Sequence, residues 1–273
     1  MDREIASDEK QARALVMAGR VYIDGIQVNK PGDLVSCEGS LEVSQNRLYV
    51  SRGGLKLEGA FSDLSLDAAG KTAIDIGAST GGFTDFLIKN GALHVTAVDV
   101  GKGLLSWELR NNNKVKVLEK TNIRYLDPDI LDKKYDLVAA DLSFISIKKV
   151  FKKILDVSSS DAEILLLVKP QFELERGLVK HKGIVREKAY HNKVLKDMAA
   201  YLENFKVTIK GMAFSRIRGS AGNIEFWIYL RKSIISTKSG LNYDKIIVDT
   251  VDRAHEFFNI DDPDHEDNRN NLK

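Results

Sequence analysis

The alternation of apolar and polar positions divides the chain into two folded parts. Residues 7–19 carry apolar side chains at helical spacing, and the next segment, RVYIDGIQVNKPG, alternates like a β-hairpin. Further along, short apolar runs alternate with helical segments, as in KTAIDIGA, HVTAVDVG, KVKVLEKTN, YDLVAADLSF and EILLLVKP. Parallel strands buried on both faces have this pattern. The sequence therefore predicts a small α+β unit followed by a doubly wound α/β domain.

The same patterns set the predicted boundaries at residues 1–46, 47–232 and 233–273. The segment YVSRGGLKLEGAFSDL is predicted to be a linker that leads into the first strand of the α/β domain. After a long helix near residues 187–204, the segments FKVTIKGMAFS and NIEFWIYLRK predict an antiparallel hairpin at the sheet edge. Residues 233–273 are predicted to contain a linker, one short helix near 243–258 and an acidic, disordered end.

Composition narrows the classes of function. The chain has 273 residues, 43% of them hydrophobic, and its apolar runs are far shorter than the roughly 20 residues that cross a bilayer. Its first ten residues are too charged for a signal peptide, so we expect a cytoplasmic protein with no membrane partner. The single Cys37 excludes a disulfide framework, and the five histidines have no cysteine partners at metal-site spacing. We expect no metal.

Charge is unevenly distributed along the chain, although the net charge is only +2. Residues 171–232 contain 13 lysines and arginines but 6 aspartates and glutamates. Such a segment is either a phosphate-binding surface or an ordinary solvated helix surface, and the sequence leaves both interpretations open.

A glycine-rich loop, DIGASTGGFTD, follows the first predicted strand of the α/β domain. Glycines at such a turn let a nucleotide lie against the backbone, although they could also serve only the turn itself. The next strand ends at Asp99, where a carboxylate can accept hydrogen bonds from ribose hydroxyls. Asp75 suits the cationic amino-acid end of S-adenosylmethionine, and the spacing is not the GxGxxG that a pyrophosphate requires. These residues favour S-adenosylmethionine over NAD.

Several motifs together carry a resemblance to a known family. The motifs RGGxKL, DIGASTGGFTD, DVGxGxL, TNxRxL, DLSFIS, VKPQFE and GNIEF resemble FtsJ-type class I methyltransferases, which methylate ribose 2′-hydroxyls in RNA. The N-terminal pattern AxxLVxxGRVxxDGxxVxKPG is similar to the S4 RNA-binding module, without room for the module's usual first helix. A small adaptor that binds no RNA is the alternative for this unit. Joined together, the two parts resemble the TlyA/haemolysin A family of ribosomal RNA methyltransferases.

This resemblance implies a fold, an activity and a set of catalytic residues. The fold would be a Rossmann-like, mostly parallel seven-stranded sheet, and the activity 2′-O-methylation of cytidine in ribosomal RNA with S-adenosylmethionine. The family's Lys-Asp-Lys-Glu tetrad falls on Lys56, Asp141, Lys169 and Glu225. Lys169 would be the general base, with its pKa lowered by burial and by the neighbouring Lys56 cation. Alternatively, Lys56 is a solvated lysine and Glu225 is a charge that protects an edge strand.

The resemblance also implies binding residues. The cofactor would be bound by Asp75, Gly77, Ser79, Gly81, Gly82, Phe83, Asp99, Asn122 and Asp141. The S4-like match implies RNA contacts by Arg13 and Arg20, and we also expect RNA to be bound by Arg52, Lys180, Lys182, Arg216 and Arg218. Arg216 stands where the family usually has a proline, and we expect the loop that it begins to contact RNA phosphate.

The sequence fits other methyl-transfer chemistries less well. Amino-group methyltransferases use an Asp/Asn-Pro-Pro-Tyr/Phe segment, but the segment from Asp141 to Phe144 has neither proline. Methylation at a pyrimidine carbon needs a cysteine nucleophile, and Cys37 lies in the N-terminal part. Two non-enzymatic functions remain open, a ribosome-assembly factor that binds RNA without catalysis and a haemolysin-like membrane-active protein.

Overall fold

The computed structural model describes residues 5–6, 8–17, 20–23, 26–28, 31–32, 35, 39–43, 48–131, 133–179, 183–219, 221–233 and 242–260. In the N-terminal part, α1 (Glu9–Met17) precedes β1 (Val21–Ile23), β2 (Ile26–Gln27) and β3 (Leu41–Val43). These strands form an antiparallel sheet of order β2-β1-β3. The predicted hairpin is confirmed, because Ile23 pairs with Ile26. Its predicted turn at Asp24 and Gly25 lies outside the described residues, and the identification as an S4 module stays a prediction.

The larger part contains seven strands and seven α-helices within the described ranges. In chain order they are α2 (Arg52–Leu64), β4 (Thr72–Ile76), α3 (Gly82–Lys89), β5 (His94–Val98), α4 (Trp107–Arg110), β6 (Val115–Leu118), β7 (Tyr135–Ala140), α5 (Phe151–Val157), β8 (Ser158–Val168), α6 (Pro170–Glu173), α7 (Lys188–Leu202), β9 (Val207–Phe214), β10 (Phe226–Lys232) and α8 (Tyr243–Phe257). The sheet order is β6-β5-β4-β7-β8-β10-β9. Strands β4 to β8 are parallel, and β10 is antiparallel to both of its neighbours. The predicted doubly wound α/β fold is confirmed.

Strand β8 is buried on both faces of the sheet. Because side chains alternate along a strand, Leu166 and Val168 enter one hydrophobic core, while Leu165 and Leu167 enter the other. Helices α5, α7 and α8 cover the first face, and α2 and α3 cover the second. This two-sided burial explains the uninterrupted apolar run at the end of β8.

The prediction of a linker at residues 49–64 was wrong. Thirteen residues of this segment form α2, and Leu57 and Phe61 bury one of its faces against the sheet. The glycines of the segment obscured the helical pattern, but they permit close packing. A β-carbon on Gly54 would overlap the ring of Tyr49, so the start of the helix depends on that glycine.

The C-terminal helix is part of the core. Helix α8 confirms the helix predicted near residues 243–258, and it buries Ile247 and Val251 in the core shared with α7. His255 Nε2 lies 2.9 Å from His191 Nδ1 of α7. The predicted disordered end, residues 261–273, lies outside the described residues. Within the described ranges, no helix is long and apolar enough to span a membrane.

Two valines of α8 test this packing as a matched pair. Val251 is fully buried, whereas Val248 is exposed. We expect Val251→Asp to lower the free energy of unfolding by about 3 kcal/mol or more, because it buries an unpaired charge. Val248→Asp should change it by less than about 0.5 kcal/mol. Chemical denaturation checks both variants, and equal stabilities would show that α8 is only loosely attached.

Candidate active site

The predicted catalytic residues are brought to one edge of the sheet by its topology. Parallel strands β4, β7 and β8 are neighbours, and their carboxyl ends lead to Gly77, Asp141 and Lys169. The chain crosses to opposite sides of the sheet around β4, so a crevice opens between the ends of β4 and β7. A β-carbon on Gly77 would overlap the carbonyl oxygen of Asp141, and the φ angle of Gly77 is 90°. Only glycine fits this close approach.

Glu225 lies at the same edge because it precedes a strand that runs antiparallel to β8. It directly precedes β10, and because Phe226 pairs with Val168 in the antiparallel ladder, Glu225 lies beside Lys169. Lys56, on α2, places its Nζ atom 2.6 Å from Oε2 of Glu225. The four predicted catalytic residues therefore meet as two ion pairs, Lys56–Glu225 and Lys169–Asp141.

Both alternatives for Lys56 and Glu225 are wrong. The Lys56 side chain is 11% exposed and that of Glu225 is 3% exposed, so neither is a solvated surface charge. Strand β10 lies between β8 and β9 and is not an edge strand. The pair is instead enclosed at the end of the sheet, where an unpartnered charge would be costly.

The amine of Lys169 is surrounded by acceptors. It forms an ion pair with Asp141 and donates a hydrogen bond to Ser143 Oγ at 3.0 Å. Burial acts to lower the pKa of Lys169, but the negative charges of Asp141 and Glu225 and the hydrogen bond to Asp141 together outweigh it and raise the pKa. The expectation of a depressed Lys169 pKa was wrong, because Lys56 is neutralised by Glu225 and both carboxylates stabilise the ammonium.

Asp99 connects the glycine-rich loop to the end of β5. Its Oδ2 atom accepts a hydrogen bond from Ser79 N at 2.8 Å, and its Oδ1 atom accepts one from Gly101 N at 2.7 Å. Ser79 has a φ angle of 50° and Gly81 one of 97°, so the loop is held in left-handed turns. The loop is therefore shaped around this partly exposed carboxylate before any ligand binds.

Asp75 is the most buried carboxyl of the site. Its Oδ2 atom accepts from Thr84 N at 2.9 Å and from Thr84 Oγ1 at 2.7 Å. Burial raises its pKa to about 7; the charges of Asp141 and Asp99 add to this rise, and the hydrogen bonds from Thr84 oppose it. Its buried Oδ1 atom has no hydrogen-bond partner among the described residues. A cationic ligand group beside Asp75 would lower this pKa and would give the Oδ1 atom a hydrogen-bond donor.

Some predicted cofactor residues have other roles in the structure. The side chain of Phe83 lies in the core, with its ring centroid 5.6 Å from that of Trp227, and its contact with the cofactor stays a prediction. A β-carbon on Gly82 would overlap Ser51 Oγ, which shows that Gly82 allows α2 and α3 to approach. Asn122 is exposed, and its Oδ1 atom accepts from Arg124 N at 3.0 Å. For Asn122, the cofactor contact stays a prediction.

The predicted RNA-binding residues are dispersed. Arg52 lies one turn before Lys56 on the same face of α2, which places it near the tetrad. On α1, the Arg13 guanidinium is paired with Glu9 at 2.6 Å, and Arg20 precedes β1 in a partly exposed position. Lys180 and Lys182 lie outside the described residues.

Arg216 and Arg218 both have partners within the chain. Arg216 forms an ion pair with Asp63. Arg218 donates from Nη2 to the carbonyl oxygen of Phe258 at 3.0 Å, and its guanidinium lies 4.6 Å from the centroid of the Phe258 ring. The expected contact of these arginines with RNA phosphate stays a prediction, and any such contact would compete with these partners.

Phe144 is an exposed aromatic residue beside Ser143 that is absent from the predicted site residues. Its side chain is 91% exposed, its φ angle is 64°, and its ring centroid lies 5.2 Å from that of Phe172. Glu173 fixes the loop by accepting from Ile147 N at 2.7 Å and from Ser146 Oγ at 2.5 Å. An aromatic residue three positions after Asp141 was the available signal, but the sequence could not show its exposure. The part of the chain that is described holds no cluster of metal-ligating side chains.

Comparison with known proteins agrees with this geometry. The FtsJ-like methyltransferase family matches residues 49–232. The 16S/23S rRNA (cytidine-2′-O)-methyltransferase TlyA of Mycobacterium tuberculosis is 42% identical over 231 residues, which are 84% of this chain and 86% of the relative. YqxC of Bacillus subtilis, provisionally named an rRNA methyltransferase, is 41% identical over 84% of this chain and 83% of its own.

A solved structure shares the architecture as well. A Streptococcus thermophilus protein with the provisional name hemolysin is 38% identical, with a TM-score of 0.76 over 92% of this chain and 91% of its own. The range matched to the FtsJ-like family includes every member of the tetrad and the glycine-rich loop. The chain therefore belongs to the FtsJ-like methyltransferase family, in the group that contains TlyA.

Proposed function

We propose that this protein methylates the 2′-hydroxyl of a ribose, in cytidine of ribosomal RNA, with S-adenosylmethionine as the methyl donor. The proposal rests on two ion pairs, Lys56–Glu225 and Lys169–Asp141, which lie at the crevice beside Gly77. A ribose hydroxyl is a weak nucleophile that must be aligned and deprotonated. A buried amine held by two carboxylates can both align the hydroxyl and accept its proton.

The residues around the crevice fit S-adenosylmethionine. Asp99 offers carboxylate acceptors at the end of β5, and the left-handed turns of Ser79 and Gly81 leave the loop backbone open for close approach. Asp75, with its unpartnered Oδ1 atom, fits the ammonium of the amino-acid end. When bound, S-adenosylmethionine supplies an electrophilic methyl group and a positive charge.

Lys169 takes up the proton of the ribose hydroxyl in this proposal. Its pKa is raised without ligands, so the amine must first lose a proton. A second positive charge in the crevice lowers the pKa of Lys169 toward the range in which the amine acts as a base. The hydrogen bond to Ser143 fixes one N–H direction of the amine, and the ion pair with Asp141 holds the nitrogen beside that carboxylate, so both contacts restrict the direction of its lone pair.

RNA is favoured over a small substrate by the surroundings of the tetrad. Phe144 presents an exposed ring against which a base can stack, and Arg52 offers a cation on the same helix face as Lys56. TlyA of Mycobacterium tuberculosis is named for cytidine 2′-O-methylation of 16S and 23S rRNA. We propose the same substrate for this chain. The proposal includes a cytoplasmic location and ribosomal subunits as partners.

The direct experiment is methyl transfer. Ribosomal subunits from cells lacking the protein are incubated with purified protein and tritiated S-adenosylmethionine, and the labelled nucleotide is mapped. Label on a ribose supports the proposal. Absence of label on both subunits, together with RNA binding, favours a non-catalytic assembly factor.

Replacing the proposed base separates catalysis from binding. We expect Lys169→Met to lower the rate of methyl transfer by about 100-fold or more, since general base catalysis contributes about 10²–10⁴-fold. Affinity for RNA should be retained. Lys206→Met is the matched control, because Lys206 is exposed before β9 at the opposite edge of the sheet.

The same variant addresses the alternatives. Methyl transfer by Lys169→Met at the wild-type rate would contradict the role of the amine. Lysis of lipid vesicles by the purified variant would favour a membrane-active protein instead.

The raised pKa of Lys169 predicts the pH dependence of the rate. Because only the neutral amine accepts a proton, kcat should rise by about tenfold per pH unit while the pH is below the pKa in the complex. Single-turnover rates between about pH 6 and pH 9 measure the slope. A flat profile across this range would mean that another group deprotonates the hydroxyl.

Asp99 should control binding of the methyl donor. We expect Asp99→Ala to weaken S-adenosylmethionine binding by about 10- to 100-fold, because hydrogen bonds to charged groups contribute about 1.5–3 kcal/mol. Loss of the bonds to Ser79 and Gly101 adds to this effect by loosening the loop. Isothermal titration calorimetry measures it, with the exposed Asp129→Ala as control. Unchanged affinity in Asp99→Ala would place the ribose elsewhere.

A further inference from the structure

The loop that precedes Glu225 is closed by hydrogen bonds at its base and within its turn. Ser215 N donates to the carbonyl oxygen of Glu225 at 2.8 Å, which joins the two ends of the loop. Gly219 N donates to Asn223 O at 2.9 Å, and Gly222 N donates to Gly219 O at 2.8 Å. The loop is therefore a compact turn that ends on Glu225.

Gly219 lies directly against the carboxylate of Glu225. A β-carbon on Gly219 would overlap Oε1 of Glu225, while Oε2 faces Lys56 at 2.6 Å. The carboxylate is thus confined between the loop on one side and an amine on the other. A shift of the loop would move Glu225, and with it Lys56.

Helix α8 holds this loop from outside. The Phe258 ring, just beyond the helix end, receives the Arg218 guanidinium at 4.6 Å, and the Phe258 carbonyl accepts from Arg218 Nη2 at 3.0 Å. Phe214, the last residue of β9, lies 5.3 Å from Phe257 and 6.2 Å from Phe258 between ring centroids. The start and the middle of the loop are both attached to the same helix end.

The helix is fixed strongly enough to act as a support. Val251 and Ala254 are buried in the core, and His255 contacts His191 of α7. The helix follows residue 232, where the match to the FtsJ-like family ends. The contact between α8 and the loop is therefore made by a segment outside the matched family region.

We propose that Arg218 and Phe258 are positioning residues for catalysis, through which α8 holds Gly219 against Glu225 and so fixes the Lys56–Glu225 pair. The inference rests on the proposed methyltransferase function. It gives Arg218 a role distinct from RNA binding, because the guanidinium is directed at the end of α8.

Four variants test this assignment in the full-length protein. Arg218→Ala releases the loop from α8, and Arg218→Lys keeps a cation over the ring without the planar fork of donors. Gly219→Ala places a methyl group against Oε1 of Glu225, with no positive φ angle to strain the backbone. Arg253→Ala is the matched control, because Arg253 is an exposed arginine on α8 itself.

We expect Arg218→Ala and Gly219→Ala to lower kcat by about 10- to 100-fold, since small misplacements of positioning groups have effects of this size. Arg218→Lys should retain part of the activity, and Arg253→Ala should retain all of it. The KM for RNA should not change in any of the four. Hydrogen exchange in peptides covering residues 215–225 should accelerate in Arg218→Ala but not in Arg253→Ala.

The outcomes separate this inference from the proposed function. If the wild-type protein transfers no methyl group, the proposed function fails, and hydrogen exchange still decides whether α8 holds the loop. If the wild type is active and Arg218→Ala keeps its kcat, the positioning role of Arg218 is overturned, whatever the effect of Gly219→Ala. A raised KM for RNA with unchanged kcat in Arg218→Ala would also overturn it, in favour of phosphate binding.

Discussion

Two ammonium groups and two carboxylates share the end of a sheet that is buried on both faces, and the rest of the site depends on their pairing. A charge at such a position is costly unless an opposite charge is held beside it. The fold supplies each partner by a different route. Adjacent parallel strands bring Asp141 to Lys169, whereas α2 brings Lys56 to Glu225, which directly precedes the antiparallel strand β10. Removing any one member leaves an uncompensated charge, so the four residues act as one unit.

The apolar run of β8 predicted both a buried strand and a buried lysine at its end, and both are found. The pKa of that lysine was not predictable in the same way. Burial is visible in a hydrophobic pattern, but the balance between burial and attraction depends on distances to Asp141 and Glu225, which lie at the ends of other strands. Sequence spacing gives the identity of these groups and leaves their distances undetermined, which is why the sign of the shift came out wrong.

Helix α2 and Phe83 show a second limit of sequence reasoning. The glycines of α2 resemble a flexible segment, yet they serve close packing, and the apolar residues between them face the sheet. Phe83 follows the glycine-rich loop and was assigned to the ligand, although the first turn of α3 directs it toward Trp227. A motif locates a loop well, but the direction of each side chain depends on tertiary packing.

The contacts of the arginines in residues 171–232 also depend on tertiary packing. A count of charges cannot distinguish Arg216, paired with Asp63, from Arg218, which binds the end of α8.

Glu225 has two opposing effects on catalysis. Its charge raises the pKa of Lys169, which keeps the base protonated, while its contact with Lys56 holds the site in place. Because the carboxylate is confined by Gly219, its distance from Lys169 is set by the loop, and the loop is set by α8. The basicity of the proposed base and the alignment of its neighbours are therefore coupled through one carboxylate, so a change in the loop alters both at once.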